Sequence, residues 1–107
     1  MFGAVDIGGT KTLVAVFDKH GKVTEELKFP TPPDYEDFKI ELADTVAKLS
    51  TDDWHRVTVA VPALLNRRKG IAVAFGNLPW RSVPIQHDAE LIFKAPVQIE
   101  NDAKLAA

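Results

Sequence analysis

The chain has 107 residues, of which 46% are hydrophobic and 26% charged, with a net charge of −2. This length and balance indicate one globular domain with a core of its own. The slightly negative net charge gives no indication of a nucleic-acid partner. No apolar run approaches the roughly 20 residues of a transmembrane helix. The chain has no cysteine, which excludes disulfides and thiolate metal sites within it. We therefore expect a cytoplasmic protein with neither nucleic-acid nor membrane partners.

Two short apolar strands are predicted at the start of the chain, at residues 2–5 and 13–17, joined by a glycine turn. Residues 23–29 are predicted as a third strand at a sheet edge, because their apolar positions do not alternate cleanly and prolines follow. Asp34 is a candidate N-cap. The helix that it begins has apolar residues at spacings of three and four and ends near Ser50.

Strands and helices alternate in the second half of the chain, which predicts an α/β layered domain. Residues 56–61 form a fourth strand. Residues 63–65 and 71–75 form a hairpin whose basic tip, residues 66–70, is expected to be a solvated turn. The remaining predicted elements are a loop at residues 76–80, a helix at 86–94, a fifth strand at 96–100 and a last helix from Asn101 to Ala107.

The most informative stretch is residues 6–12, DIGGTKT, between the first two strands. Adjacent glycines let backbone N–H groups approach an anion, because no Cβ stands in the way. Thr10 and Thr12 add hydroxyls, Lys11 adds positive charge, and Asp6 is placed to hold Mg²⁺ through water. The segment is neither a P-loop nor a dinucleotide motif, both of which put phosphate at a helix N-terminus. An ordinary glycine hairpin is the alternative, and spacing alone does not decide.

Residues 6–12 resemble the first phosphate motif of the ROK family of sugar kinases and repressors, which belongs to the actin-like ATPases. Residues 100–103, ENDA, are similar to the sugar-binding and catalytic segment of that family, and residues 77–80, NLPW, resemble the loop before its second helix. The three motifs stand in the family's order. The resemblance implies that residues 1–107 form the ribonuclease-H-like N-terminal domain of an actin-like fold, with a mixed five-stranded sheet and helices.

The resemblance implies the N-terminal lobe of an ATP-dependent, glucokinase-like hexose kinase that uses Mg²⁺. A missing C-terminal domain would supply the rest of the nucleotide site, so we expect the chain alone to be inactive and to form homo-oligomers through uncovered apolar surface. Two alternatives stay open: a sugar-sensing ROK-type regulator, and a non-catalytic binding or assembly domain. We expect a kinase, because only five residues precede Asp6, too few for the DNA-binding region that such regulators carry there.

Asp102 is the candidate catalytic base, because it follows a predicted strand, where ligands gather in open α/β sheets, and can accept the proton of a sugar hydroxyl. Its alternative role is to cap the last helix.

Ala60 and Ala63 stand on either side of Pro62 where the family pattern has glycines. Since alanine tolerates positive φ poorly, we expect an effect on sugar binding. Trp80 is expected to anchor its loop in the core. The resemblance further implies that Asn101, Asn77 and Ala63 bind substrate, that Asp6, Gly8, Gly9, Thr10, Lys11 and Thr12 bind the cofactor ATP, and that Asp6 holds the metal.

Overall fold

The computed structural model of the chain describes residues 1–101. A five-stranded sheet packs against two helices, and a three-stranded sheet adjoins them. Within the described residues, neither helix has the length and apolar character needed to cross a membrane. The strands are β1 (Phe2–Ile7), β2 (Lys11–Phe17), β3 (Val23–Pro30), β4 (Arg56–Val61), β5 (Ala63–Asn66), β6 (Ile71–Phe75), β7 (Arg81–Val83) and β8 (Val97–Asn101), and the helices are α1 (Tyr35–Ala47) and α2 (Ile85–Phe93).

The large sheet has the strand order β3-β2-β1-β4-β8. β1, β2 and β3 pair antiparallel through hairpins, whereas β1, β4 and β8 run parallel. Parallel neighbours need a crossover connection, and α1 and α2 supply the two crossovers. The sequence prediction of a mixed five-stranded sheet with β3 at an edge is confirmed.

The core lies between one face of this sheet and the two helices. Val5, Val59 and Ile99 stand side by side on the three parallel strands, and each is at most 3% exposed. Against them α1 buries Phe38 and Leu42, which are four residues apart and so lie on the same side of the helix. The predicted N-cap is also confirmed: Asp34 Oδ1 accepts hydrogen bonds from the first-turn backbone N–H groups.

Trp80 anchors the loop that precedes β7. Its ring is 3% exposed. Its centroid lies 4.7 Å from that of Phe38 on α1 and 5.1 Å from that of Phe75 on β6. Its Nε1–H donates a hydrogen bond of 2.9 Å to the Pro33 carbonyl oxygen. The predicted core role is confirmed, and Trp80 joins the small sheet to α1.

We predict that Trp80→Ala lowers the free energy of unfolding by about 3–5 kcal/mol, because it empties the junction between the small sheet and α1. Trp80→Phe keeps a ring there and loses the hydrogen bond to Pro33, so its loss should be smaller. Urea unfolding curves measure both variants. A loss below about 1 kcal/mol for Trp80→Ala would contradict this account.

Two sequence predictions about the second half are wrong. β7 was not predicted, because it has only three residues and Ser82 has a φ of 50°, which breaks the strand pattern. Asn101 ends β8 and pairs with Val61, instead of starting a helix, because the parallel register with β4 continues to that residue. The rest of the predicted last helix, residues 102–107, lies outside the described residues.

Tyr35 links the two helices at their N-terminal ends. Its hydroxyl donates a hydrogen bond of 2.7 Å to Asp88 Oδ2 on α2. Lys39 Nζ lies 3.0 Å from Glu36 Oε2 and 3.9 Å from the same Asp88 oxygen. Burial first, and then the hydrogen bond to Asp88, raise the pKa of Tyr35 well above its usual range.

This shift predicts a loss of stability at alkaline pH. The unfolded chain releases the Tyr35 proton near its ordinary pKa of about 10, whereas the folded chain keeps it, so stability falls as the pH rises above about 10. In Tyr35→Phe that part of the alkaline fall should be absent. Unfolding curves measured at a series of pH values provide the test, and an unchanged alkaline slope in Tyr35→Phe would contradict it.

Candidate active site

The carboxyl ends of the three parallel strands β1, β4 and β8 lie along one edge of the large sheet. Each strand is followed by a segment that the sequence analysis singled out. In register, Asp6 on β1 pairs with Ala60 on β4, and Ala60 pairs with Glu100 on β8. Neighbouring strands lie about 4.8 Å apart, so these ends fall within about 10 Å of one another. Ligands of open α/β sheets bind at such carboxyl ends. The fold therefore brings together motifs that are about ninety residues apart in the chain.

An open cavity of about 410 Å³ lies at this edge. It brings together all three residues predicted to bind substrate, Ala63, Asn77 and Asn101. Amide side chains can both donate and accept hydrogen bonds, as paired sugar hydroxyls require. The other lining residues are Pro62, Leu64, Ala74 and Gly76, which give the cavity apolar walls. A pocket with apolar walls and a few polar groups is typical of a small-molecule site.

The Asn101 amide is fixed by a hydrogen bond within the cavity wall, since its Nδ2–H donates to the Ala63 carbonyl oxygen. Ala63 is 6% exposed and begins β5. Neither Ala60 nor Ala63 has a positive φ. The positive φ that would conflict with alanine around Pro62 is therefore absent, and an effect of the two alanines on sugar binding stays a prediction.

The glycine turn joins β1 to β2 as predicted, and close packing requires both of its glycines. Neither Gly8 nor Gly9 has a positive φ. A Cβ on Gly8 would lie 2.8 Å from the Lys11 carbonyl oxygen, and a Cβ on Gly9 would lie 2.8 Å from Asn77 Cβ. Both glycines are thus required by close approach. Because Asn77 lines the cavity, the close contact of Gly9 with Asn77 also places the turn directly against the cavity.

The polar groups of the turn divide into those that face solvent and those that hold the turn together. Thr10 and Lys11 are exposed. The Gly8 N–H donates to the Lys11 carbonyl oxygen at 2.9 Å, so it serves the turn itself. Thr12 is fully buried, and its Oγ1 lies 2.7 Å from Thr31 Oγ1, which contradicts its predicted contact with a nucleotide. Gly9, Thr10 and Lys11 remain as candidate phosphate contacts.

A second, smaller cavity lies beside this turn. Lys11 on β2 and Lys28 on β3 both line a cavity of about 220 Å³, together with Phe29 and Pro30.

Asp6 is exposed at the same edge. Within residues 1–101 no three acidic, histidine or cysteine side chains lie close enough together to hold a metal ion. Mg²⁺ usually binds through one or two carboxylates together with waters and substrate phosphates. A single carboxylate beside a phosphate turn fits that mode, whereas a metal held by protein side chains alone does not fit the described residues.

Arg67 is a residue of this region whose role the sequence did not reveal. The sequence predicts that it belongs to a solvated hairpin tip, and its side chain is indeed 49% exposed. However, Nη1 donates to the Ile99 carbonyl oxygen at 2.6 Å, and Nη2 lies 3.2 Å from Glu100 Oε2. These contacts join residues more than thirty positions apart, so no local sequence signal predicts them. The candidate base Asp102 lies outside the described residues.

The sequence pattern of the ROK family matches residues 2–107. The chain belongs to the ROK family. It is 32% identical over 104 residues to a glucokinase of Streptomyces coelicolor, with 96% of this chain aligned to 33% of that protein. It is also 32% identical over 111 residues to an N-acetyl-D-glucosamine kinase of Citrobacter koseri, with 100% of this chain aligned to 36% of that protein.

A solved structure shows the same fold. The ROK family glucokinase from Streptomyces griseus, in complex with glucose and AMPPNP, is 30% identical and superposes with a TM-score of 0.86, over 98% of this chain and 34% of that one. The predicted ROK resemblance and actin-like ATPase fold are thereby confirmed. The chain spans about a third of the length of the ROK relatives it matches.

The contact between the turn and the cavity gives a direct prediction. In Gly9→Ala the new methyl group must displace Asn77, so we expect a loss of about 1–3 kcal/mol in the free energy of unfolding and shifted NMR signals of the Asn77 side-chain amide. Gly76→Ala is the matched control, because a Cβ there meets open space, and its effect should stay within about 0.5 kcal/mol. Equal effects of the two variants would contradict the proposed contact.

Proposed function

We propose that this chain is the N-terminal lobe of an ATP-dependent hexose kinase. The observation that carries the proposal is the direct approach of the glycine turn to the cavity, where Gly9 packs against Asn77. A kinase must hold a phosphate donor and an acceptor hydroxyl next to each other, because positioning and charge neutralisation supply most of the catalysis of phosphoryl transfer. The named activities of the ROK relatives, glucokinase and N-acetyl-D-glucosamine kinase, support a hexose as the acceptor.

In this proposal Asn77 and Asn101 hydrogen-bond the hydroxyls of the sugar, and Asp102 is the general base. Asp102 directly follows Asn101 in the sequence, and Asn101 is the last residue of β8 and lines the cavity. Its carboxylate accepts the proton of the attacking hydroxyl while that oxygen bonds to the γ-phosphorus of ATP, and the bond to the β–γ bridging oxygen breaks to release ADP. A positioned base of this kind contributes about 10²- to 10⁴-fold to the rate.

Phosphate binding is assigned to the half-buried Gly9 and to the exposed Thr10 and Lys11. Asp6 is the residue that would hold Mg²⁺. The metal ion would neutralise charge on the phosphates. The contribution of this chain is to present a carboxylate, two adjacent glycines and a lysine on one short hairpin.

We further propose that a second domain completes the site, since the ROK relatives are about three times as long as this chain. The chain alone should then bind hexose but not phosphorylate it. Sugar-dependent ADP release by the 107-residue chain in the presence of Mg²⁺ and ATP would contradict this part of the proposal.

Sugar binding by the chain can be tested by calorimetric titration with glucose and with N-acetylglucosamine. Asn101→Ala should weaken the affinity by about tenfold, the value of one lost hydrogen bond pair. Asp44→Ala is the control, because Asp44 is exposed on α1 and does not line the cavity. Absence of binding by the unaltered chain, or equal losses in both variants, would contradict the assigned cavity.

The role of Asp102 needs a complete enzyme. We propose a chimera in which this chain replaces the matching third of the Streptomyces coelicolor glucokinase. In a chimera that unfolds cooperatively, Asp102→Asn should preserve the affinity for hexose and lower kcat by about 10²-fold or more. A kcat within threefold of the unaltered chimera would exclude Asp102 as the base.

A further inference from the structure

The outer edge of β8 is bordered by side chains of other elements. β8 is the last strand of the large sheet and pairs with β4 on one side. On the other side, the Val97 carbonyl oxygen accepts a hydrogen bond of 2.7 Å from Gln86 Nε2, and the Ile99 carbonyl oxygen accepts one of 2.6 Å from Arg67 Nη1. Two backbone groups of an edge strand are thus satisfied by side chains.

The Arg67 guanidinium binds two acceptors at once. Nη1 donates to the Ile99 carbonyl oxygen and Nη2 to Glu100 Oε2, at 2.6 and 3.2 Å. The other Glu100 oxygen, Oε1, accepts a hydrogen bond of 2.8 Å from Gln98 Nε2. A planar guanidinium fixes its two donors relative to each other, which a flexible ammonium group cannot do. The residues immediately before Asn101 are therefore held in orientation as well as in distance.

The hairpin that carries Arg67 is itself anchored at both ends. At its tip, Gly70 has a φ of 68° and its carbonyl oxygen accepts a hydrogen bond of 3.1 Å from the Gln86 backbone N–H. At its base, the Ala63 carbonyl oxygen accepts the hydrogen bond from Asn101 Nδ2. Arg67 lies between these two anchors on a short hairpin.

We infer that Arg67 is a positioning residue for the sugar site: by holding Ile99 and Glu100 it orients the end of β8 and so the Asn101 amide in the cavity. The inference rests on the proposed function and extends it to a residue outside the cavity. A half-exposed ion pair adds little to global stability. The effect of Arg67 should therefore appear in the local order of Asn101 and in sugar affinity.

The test compares Arg67→Ala and Arg67→Lys with Arg68→Ala in the 107-residue chain. Arg68 is the matched control, because it is exposed on the same hairpin tip and makes no hydrogen bond or ion pair with residues 1–101. Arg67→Ala should raise the amide exchange rates of Glu100 and Asn101 by about tenfold, the value of one lost charge-assisted hydrogen bond. It should also shift the Asn101 side-chain amide signals.

Glucose affinity should fall about fivefold to tenfold in Arg67→Ala. Arg67→Lys should recover part of both effects, since its ammonium group can still donate to one of the two acceptors. Arg68→Ala should match the unaltered chain in exchange and in affinity.

The inference is overturned if Arg67→Ala leaves the Asn101 signals and exchange rates unchanged, or if Arg68→Ala has the same effect. It is also overturned if exchange rises equally at amides throughout the large sheet, which would indicate a general structural role. Amide exchange reports on Arg67 even where glucose does not bind. Failure of the proposed sugar binding and failure of the Arg67 inference are therefore separate results.

Discussion

The parallel register of β1, β4 and β8 is the constraint on which the rest of this structure depends. It aligns Asp6 with Ala60 and Ala60 with Glu100, and it continues to pair Val61 with Asn101. A shift by one residue would turn every side chain of a strand to the opposite face. Asn101 would then leave the cavity, and Val59 or Ile99 would leave the core. The burial of the core therefore fixes the geometry of the site.

Close approach of small residues at the sheet edge joins the glycine turn to the cavity. Gly9 allows Asn77 to pack against the turn, and Ala63 offers its carbonyl oxygen to Asn101. Trp80 holds the loop that carries Asn77 against α1 and β6. Thus Trp80, which lies outside the cavity, and Gly9, whose lack of a Cβ permits close contact, together determine where the Asn77 amide lies.

The sequence predicted the parts of the fold that depend on local pattern. The apolar strands, the Asp34 cap and the four-residue spacing of Phe38 and Leu42 are readable because hydrophobic periodicity and capping act over a few residues. β7 was missed because its three residues, with Ser82 at positive φ, show no such pattern. Asn101 was assigned to a helix because the register of a parallel strand depends on its neighbour in the sheet.

In the candidate site, too, the sequence indicates the local motifs but not the contacts between distant segments. The motifs at residues 6–12, 77–80 and 100–103 point to one edge of the sheet, and the structure groups Ala63, Asn77 and Asn101 in one cavity there. The burial of Thr12 against Thr31 and the contacts of Arg67 depend on segments distant in sequence. Such long-range contacts leave no recognisable pattern in the local amino-acid sequence.

The most direct test of a shared site is an NMR titration of the isotope-labelled chain, first with glucose and then with ATP and Mg²⁺. Glucose should shift the signals of Ala63, Asn77 and Asn101, and the nucleotide should shift those of Gly9, Thr10 and Lys11. Because Gly9 contacts Asn77, the Asn77 signals should respond to both ligands. Shifts confined to the opposite end of the sheet, around Trp54, or glucose and nucleotide responses with no residue in common would contradict a shared site.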